Sequence, residues 1–224
     1  MTVLHLADEG EAADLAAFLS RLLHYDRGAA VRLQAHGTAL AVFGRPPSFE
    51  VLAVRAVRLA KPYEDGLDVT LDVTVSAGEL LESVDEPAAT AGVPGAVTGP
   101  PWAGVLPPRG GWRPEPGLPA PDALRALVAA AVAEFRSRTG ELAPEKRTRT
   151  ELDRIGREIW SRTVGDTGLP VRAVHAAQSL GFLRPAAGGG AALVSSGAWL
   201  RLRTPYGSVA LRRAGTGALG LSVR

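Results

Sequence analysis

The side chains able to do chemistry are few and scattered. Four histidines, His5, His24, His36 and His175, occur in 224 residues. None stands four residues from another, the spacing that sets two imidazoles on one helix face for a metal. His5 lies in an apolar strand-like run and His36 in a turn, so both read as structural. The carboxylates of Asp68 and Asp72 share one face of an alternating segment, with Glu64 and Asp65 just before them. Paired acids can exchange a proton or hold a hard cation. Alternation with Thr70 and Thr74 reads instead as a solvated strand face, where like charges discourage edge-to-edge pairing. Glycines cluster at Gly99–Gly111 and Gly188–Gly190, but neither cluster joins a strand to a helix start, the junction that turns backbone amides onto a phosphate. No serine sits in a G-x-S-x-G elbow. Cysteine is absent, which excludes disulfides, thiolate metal sites and cysteine nucleophiles. The expectation is a protein with no cofactor, no metal and no assignable catalytic residue.

Charge is distributed more informatively than chemistry. Residues 1–85 carry 13 acidic and 7 basic side chains, whereas residues 165–224 carry 1 acidic and 7 basic. The chain total is only +2. Two readings follow: the tail meets an anionic partner, or the acidic and basic ends attract each other. Basic residues are almost all arginine, with Lys61 and Lys146 the exceptions, and asparagine is absent. With the Ala and Gly excess, this matches the codon bias of a high-GC bacterial genome. No secretory signal is evident at the start, and no run approaches the ~20 apolar residues that span a bilayer. A cytoplasmic protein is expected.

The elements follow from periodicity. Val3–Leu6 predicts a short strand. Asp8, three residues before Glu11, starts a helix carrying Leu15, Phe18, Leu19 and Leu22 at helical spacing. Ala30–Ala35 and Thr38–Phe43 flank a His36-Gly37 turn. Val51–Leu59 and Leu67–Val75 read as further strands, and Ser76 with Glu79 caps a short helix. The fold class is therefore α+β, with an amino-terminal antiparallel sheet and two helices in an acidic lobe, residues 1–85. This order is similar to one repeat of a bacterial sliding clamp. His36-Gly37-Thr38-Ala39-Leu40 and Val75-Ser76-Ala77-Gly78-Glu79-Leu80-Leu81 carry the resemblance.

Residues 86–121, rich in Pro, Gly, Ala and Thr, predict an irregular linker. Trp102 and Trp112 within it are apolar anchors that pack it against a lobe and are candidates for an interaction surface. Residues 122–224 form a basic lobe. Helices are predicted from Pro121, from Thr148 or Thr150, and from Pro170 to Gly181. Leu200 and Leu202 then alternate with Arg201 and Arg203, Thr204-Pro-Tyr-Gly207 turns, and Val209 and Leu211 answer. Three helices followed by a hairpin resemble a winged helix-turn-helix, with Val174–Arg184 resembling the end of its third helix. The resemblance implies that Arg172, His175, Gln178 and Ser179 face a major groove, while Arg201, Arg203, Arg212 and Arg213 reach phosphates.

Three functional readings remain open. The favoured one is a non-enzymatic protein-interaction, assembly or regulatory adaptor, with a protein partner or a second copy of itself. The alternative is a DNA-binding winged-helix regulator or nucleoid-associated protein. The third is a ligand-binding protein or enzyme built from residues that form no known motif.

Overall fold

Asp8 opens the first helix by accepting a hydrogen bond from the Glu11 backbone N–H at 2.9 Å. That satisfies one of the donors a helix start leaves free. The computed structural model describes residues 2–61, 71–185 and 190–213. Among them, β1 (Val3–His5) leads into α1 (Glu9–Tyr25), then β2 (Ala30–His36), β3 (Ala39–Gly44) and β4 (Leu52–Arg58). Gly37, with φ 54°, makes the reversal between β2 and β3, where a left-handed backbone favours glycine. Next come β5 (Asp72–Ser76), α2 (Ala77–Glu82), β6 (Val84–Asp85), β7 (Thr90–Gly92) and β8 (Arg113–Glu115). The second half holds α3 (Pro121–Gly140), α4 (Arg149–Trp160), α5 (Val171–Ser179), β9 (Ala192–Ser196), β10 (Trp199–Thr204) and β11 (Gly207–Arg212).

The strands make two antiparallel sheets among the described residues. A small one has the order β1-β7-β6, and an eight-stranded one the order β5-β2-β3-β4-β11-β10-β9-β8. The join is β4 to β11, with Ser208 opposite Val54, Val209 opposite Ala53 and Ala210 opposite Leu52. Strands from the two ends of the chain therefore share one ladder. The segment expected as an irregular linker, residues 86–121, contributes β7, β8 and a 3₁₀ turn at Pro101–Gly104.

The helices cover one face of the large sheet. Leu15, Phe18, Leu19 and Leu22 of α1 are buried there together with Leu33, Leu40, Leu200 and Leu202 of the strands, in one continuous core. Burying a leucine of this kind contributes roughly 1.5–3 kcal/mol. The Phe18 ring stacks on Phe182 at 5.7 Å, so that α1 and the segment after α5 share packing. Gly207 admits that ring: a Cβ there would stand 2.5 Å from Phe182 Cε1. Helices α3 and α4 are tied by Arg138 to Glu158, at 2.8 Å for both bonds, and by Arg162 to Glu134 at 2.6 and 2.8 Å. Arg138 above all holds the Glu158 carboxyl down at about 2.

Polar packing also links the chain's ends. Arg55 of β4 is buried, and its guanidinium meets Glu11 at 2.9 Å, Asp14 at 3.2 Å and the Tyr206 carbonyl at 2.7 Å. Arg184 donates to both Asp14 oxygens at 2.5 and 2.6 Å and lies 3.6 Å above the Tyr206 ring. Of these contacts, the one between Arg184 and Asp14 joins the basic tail to acidic α1, while Arg55 itself lies among residues 1–85.

Two expectations change. The acidic strand face is altered at Asp72, which takes a bidentate pair from Arg32 at 2.7 and 2.8 Å and a bond from Gln34 at 2.9 Å. Arg32 above all holds that carboxyl below its ordinary range. Asp68, Glu64 and Asp65 lie outside the described residues, as do Gly188 and Gly189. The carboxyl-terminal hairpin is no free wing, because its β11 edge is hydrogen-bonded to β4 and its β10 edge to β9. A strand paired on both edges cannot project as a free wing, although side chains on its face stay accessible.

Candidate functional site

Helix α5 is too short and too deeply packed to be a recognition helix. Pro170 caps it, and Val171, Ala173, Val174, Ala176 and Ala177 are all buried among α3, α4 and β11. That leaves Arg172 and His175 on one side, while Gln178 is exposed on its own. Arg172 and His175 do come together, but in a cavity. Its volume is about 750 Å³, and it lies between α4, α5, Phe135 of α3 and the loop joining β3 to β4. This is within the size range of sites that take small ligands or side chains.

Aromatic rings make one wall. The His175 imidazole stacks on Trp160 at 4.6 Å and meets the edge of Phe49 at 5.2 Å. Phe135 is tilted against Trp160 at 6.2 Å. Burial pushes the imidazole below its ordinary range, which favours its uncharged form against the Trp160 ring. Gly156 forms part of the floor. An added Cβ would lie 3.5 Å from Trp160 and 3.6 Å from Phe135, so the missing side chain keeps space open between those rings.

The mouth is charged. Arg157 lines it and has no ion-pair partner among the described residues. Asp153 also lines it and pairs loosely with Arg149 at 3.7 Å. Arg172 Nε is buried without a hydrogen-bond partner, although Glu50 Oε2 stands 3.2 Å away. The bond fails on alignment and not on reach. Glu50 and Ser48 both hold left-handed backbone, at φ 53° and 69°, on either side of Phe49. Such conformations cost on the order of 1–3 kcal/mol each in non-glycine residues.

The remaining candidates lie on the opposite face of the large sheet. Arg201 donates to Ser208 Oγ at 2.8 Å and sits 5.6 Å from the Trp112 ring. Burial first, then the like charge of Arg203, pulls its guanidinium below the ordinary range. Arg203 and Arg212 are exposed and unpaired among the described residues, whereas Arg213 is engaged by Glu115. Trp112 donates its indole N–H to the Pro108 carbonyl at 3.0 Å. Trp102, with Leu106, packs on Phe43, Leu52 and Val54, and Arg32 donates to the Ala103 carbonyl beside it. Trp102 is therefore a cover for a second, smaller core. Among the described residues no three histidine, aspartate or glutamate side chains converge as metal ligands would.

Two family models divide the chain. Residues 1–104 match a domain of unknown function, DUF8010, and residues 107–216 match another, DUF8185. No curated protein matches the sequence. In structure the chain is similar to the DNA polymerase sliding clamp from Pseudomonas aeruginosa, with a TM-score of 0.47 and 13% identity over 94% of this chain and 64% of that one. The same clamp with ligand aligns at a TM-score of 0.44 and 14% identity, over 90% of this chain and 62% of that one. This chain spans less than two thirds of the clamp's length.

The sequence singled out Arg172 and His175 for the wrong surroundings and passed over Phe49, Trp160 and Gly156. Phe135 and Trp160 lie in the segments predicted as helices, and Phe49 lies between the predicted strands Thr38–Phe43 and Val51–Leu59. The available signal was Gly156, a glycine inside an otherwise well-formed helix, where it costs about 1 kcal/mol relative to alanine.

Proposed function

We propose that this protein is an interaction module, an assembly or regulatory adaptor, and that the cavity between α4 and α5 receives an aromatic side chain from a segment of a protein partner. One observation carries the reading: three aromatic rings and the His175 imidazole wall a cavity of about 750 Å³ with cationic groups at its mouth. Aromatic anchors entering desolvated pockets dominate the energetics of many interfaces. The unpaired Arg157 favours a partner carrying negative charge near that anchor.

The test uses the tripeptide N-acetyl-Phe-Leu-Phe and the indole N–H resonances of the four tryptophans. Adding peptide should move the Trp160 resonance, assigned through Trp160→Phe, and leave that of Trp102 in place. Gly156→Leu should fill the floor and abolish the shift while the chain stays folded by circular dichroism. No shift at Trp160, or equal shifts at all four indoles, would overturn the reading.

A second reading is nucleic-acid binding by the outer sheet face. It is favoured by the exposed, unpaired Arg203 and Arg212 beside Arg201 and Trp112. Binding of this kind weakens steeply with salt. A duplex DNA titration at low and moderate salt, with Arg203→Ser and Arg212→Ser, tests it. Absence of binding at low salt would sink it.

A further inference from the structure

The charged rim of the α4–α5 cavity contains an arrangement that the docking reading does not by itself require. Arg172 presents a buried Nε–H with no aligned acceptor. The one carboxylate near it belongs to Glu50, 3.2 Å away. A carboxylate normally forks onto a guanidinium through two aligned bonds at about 2.7–2.9 Å. Glu50 does not, although its side chain is 69% exposed and so has room to move, while that of Arg172 is only 26% exposed. Its backbone sits at φ 53° beside Phe49, whose ring packs on His175 and Tyr25. Glu50 is thus a misaligned acceptor tethered over a half-buried cation, at the edge of a ring-walled space.

The geometry points to a carboxylate site: the ligand places a carboxylate on Arg172, displacing Glu50, while its aromatic group enters between Trp160 and Phe135. Resting on the docking reading, this names the chemistry that the partner segment must carry, an aromatic side chain with a carboxylate within one residue of it. Either a chain terminus or an aspartate or glutamate side chain can supply that group. Glu50 acts as an internal competitor. It keeps the guanidinium from standing wholly unpaired in the free protein, and it lowers the apparent affinity of any ligand by the fraction of time it occupies Arg172. Arg157, unpaired at the mouth, adds attraction of the same sign.

The experiment measures binding of three peptides to the full chain by titration calorimetry: N-acetyl-Phe-Leu-Phe as the free acid, its carboxyl-terminal amide, and the amide with aspartate in place of leucine. At least one carboxylate peptide should bind on the order of tenfold more tightly than the plain amide, since a charge-assisted bond is about twice as strong as a neutral one. The peptide that does so identifies the source of the group. Glu50→Gln should raise affinity for that peptide several-fold and leave the plain amide unchanged, the signature of removing a competitor. Arg172→Met should erase the difference between acid and amide. Because Arg172→Met could perturb α5, Glu50→Gln, at an exposed loop position, supplies the independent test. Equal binding of all three peptides overturns the carboxylate site and leaves docking standing. Weaker acid binding in Glu50→Gln overturns the displacement. If no peptide binds at all, the docking reading and the carboxylate site fall together. Phenylacetate binding as tightly as the best peptide upholds the carboxylate site and overturns the partner segment as its source.

Discussion

The two faces of the large sheet use arginine in opposite ways. On the helix-covered face, Arg55 and Arg184 are locked into carboxylates of α1, and Arg172 is half-buried beside the Glu50 carboxylate, which is not aligned with its Nε. On the open face, Arg203 and Arg212 are exposed without ion-pair partners among the described residues, while Arg201 is drawn in beside Trp112 and Arg32 is held by Asp72 and the Ala103 carbonyl. The same side chain is structural where solvent is excluded and optional where it is not. Coulombic attraction is many-fold stronger in a low-dielectric interior, and desolvation there must be compensated by well-placed partners. Burial at each position, and not residue type, therefore separates fold-determining arginines, Arg32 and Arg201 of the open face among them, from those free to meet a partner.

That contrast breaks most clearly at Arg55. Arg55→Ala removes the buried cation shared by Glu11 and Asp14, which keep Arg58 and Arg184, and should cost about 3 kcal/mol in a urea unfolding experiment, the lower end for breaking a buried pair. A loss under about 1 kcal/mol would mean that water replaces the guanidinium, and that the two faces do not differ as argued. Next in size is Trp102, the main cover on the open face. Trp102→Ala exposes Phe43, Leu52 and Val54 and should cost about 2 kcal/mol, below the range for a wholly buried ring. The same unfolding curves report it.

A third effect is one of pH. Burial among Phe49 and Trp160 depresses the His175 value in the folded chain, so the unfolded chain binds this proton more readily. Its contribution to stability is complete above the unfolded value of about 6.5, and it is lost as pH falls below that and through the depressed folded value. Thermal melts from pH 7 downward should show a steeper decline for the native chain than for His175→Phe. Parallel declines would place the imidazole in water. The smallest effect belongs to the open-face arginines: Arg203→Ser and Arg212→Ser should change stability by no more than about 0.5 kcal/mol. A larger loss in the melting curve would show that they, too, are structural.

Periodicity and capping reach the helices with little error. Asp8, Ser76 and Thr148 cap α1, α2 and α4 through the hydrogen bonds that their spacing predicts. These signals are local, because a cap bonds three residues ahead and a helix stripe repeats every turn. The candidate site was less legible. Arg172 and His175 stood out, but as the exposed face of a recognition helix, because a sequence cannot report what packs over a short helix. Phe49 reaches them from more than 120 positions earlier in the chain, and nothing local marks that approach.

The sequence by itself determined the helices and the main strands outside residues 86–121, where the caps and the β2–β3 and β10–β11 turns fall, and that acidic and basic residues gather at opposite ends. Only the tertiary structure decided that β4 pairs with β11, which turns an expected wing into the middle of a sheet. It alone brought Phe49, Trp160 and His175 around one cavity and set Glu50 over Arg172. The physical reason is reach. Hydrogen bonds within a helix or turn span a few residues and leave a periodic trace. Sheet order and cavity walls are settled by whichever distant apolar faces bury each other best, and many sequences with the same local pattern could satisfy that burial differently.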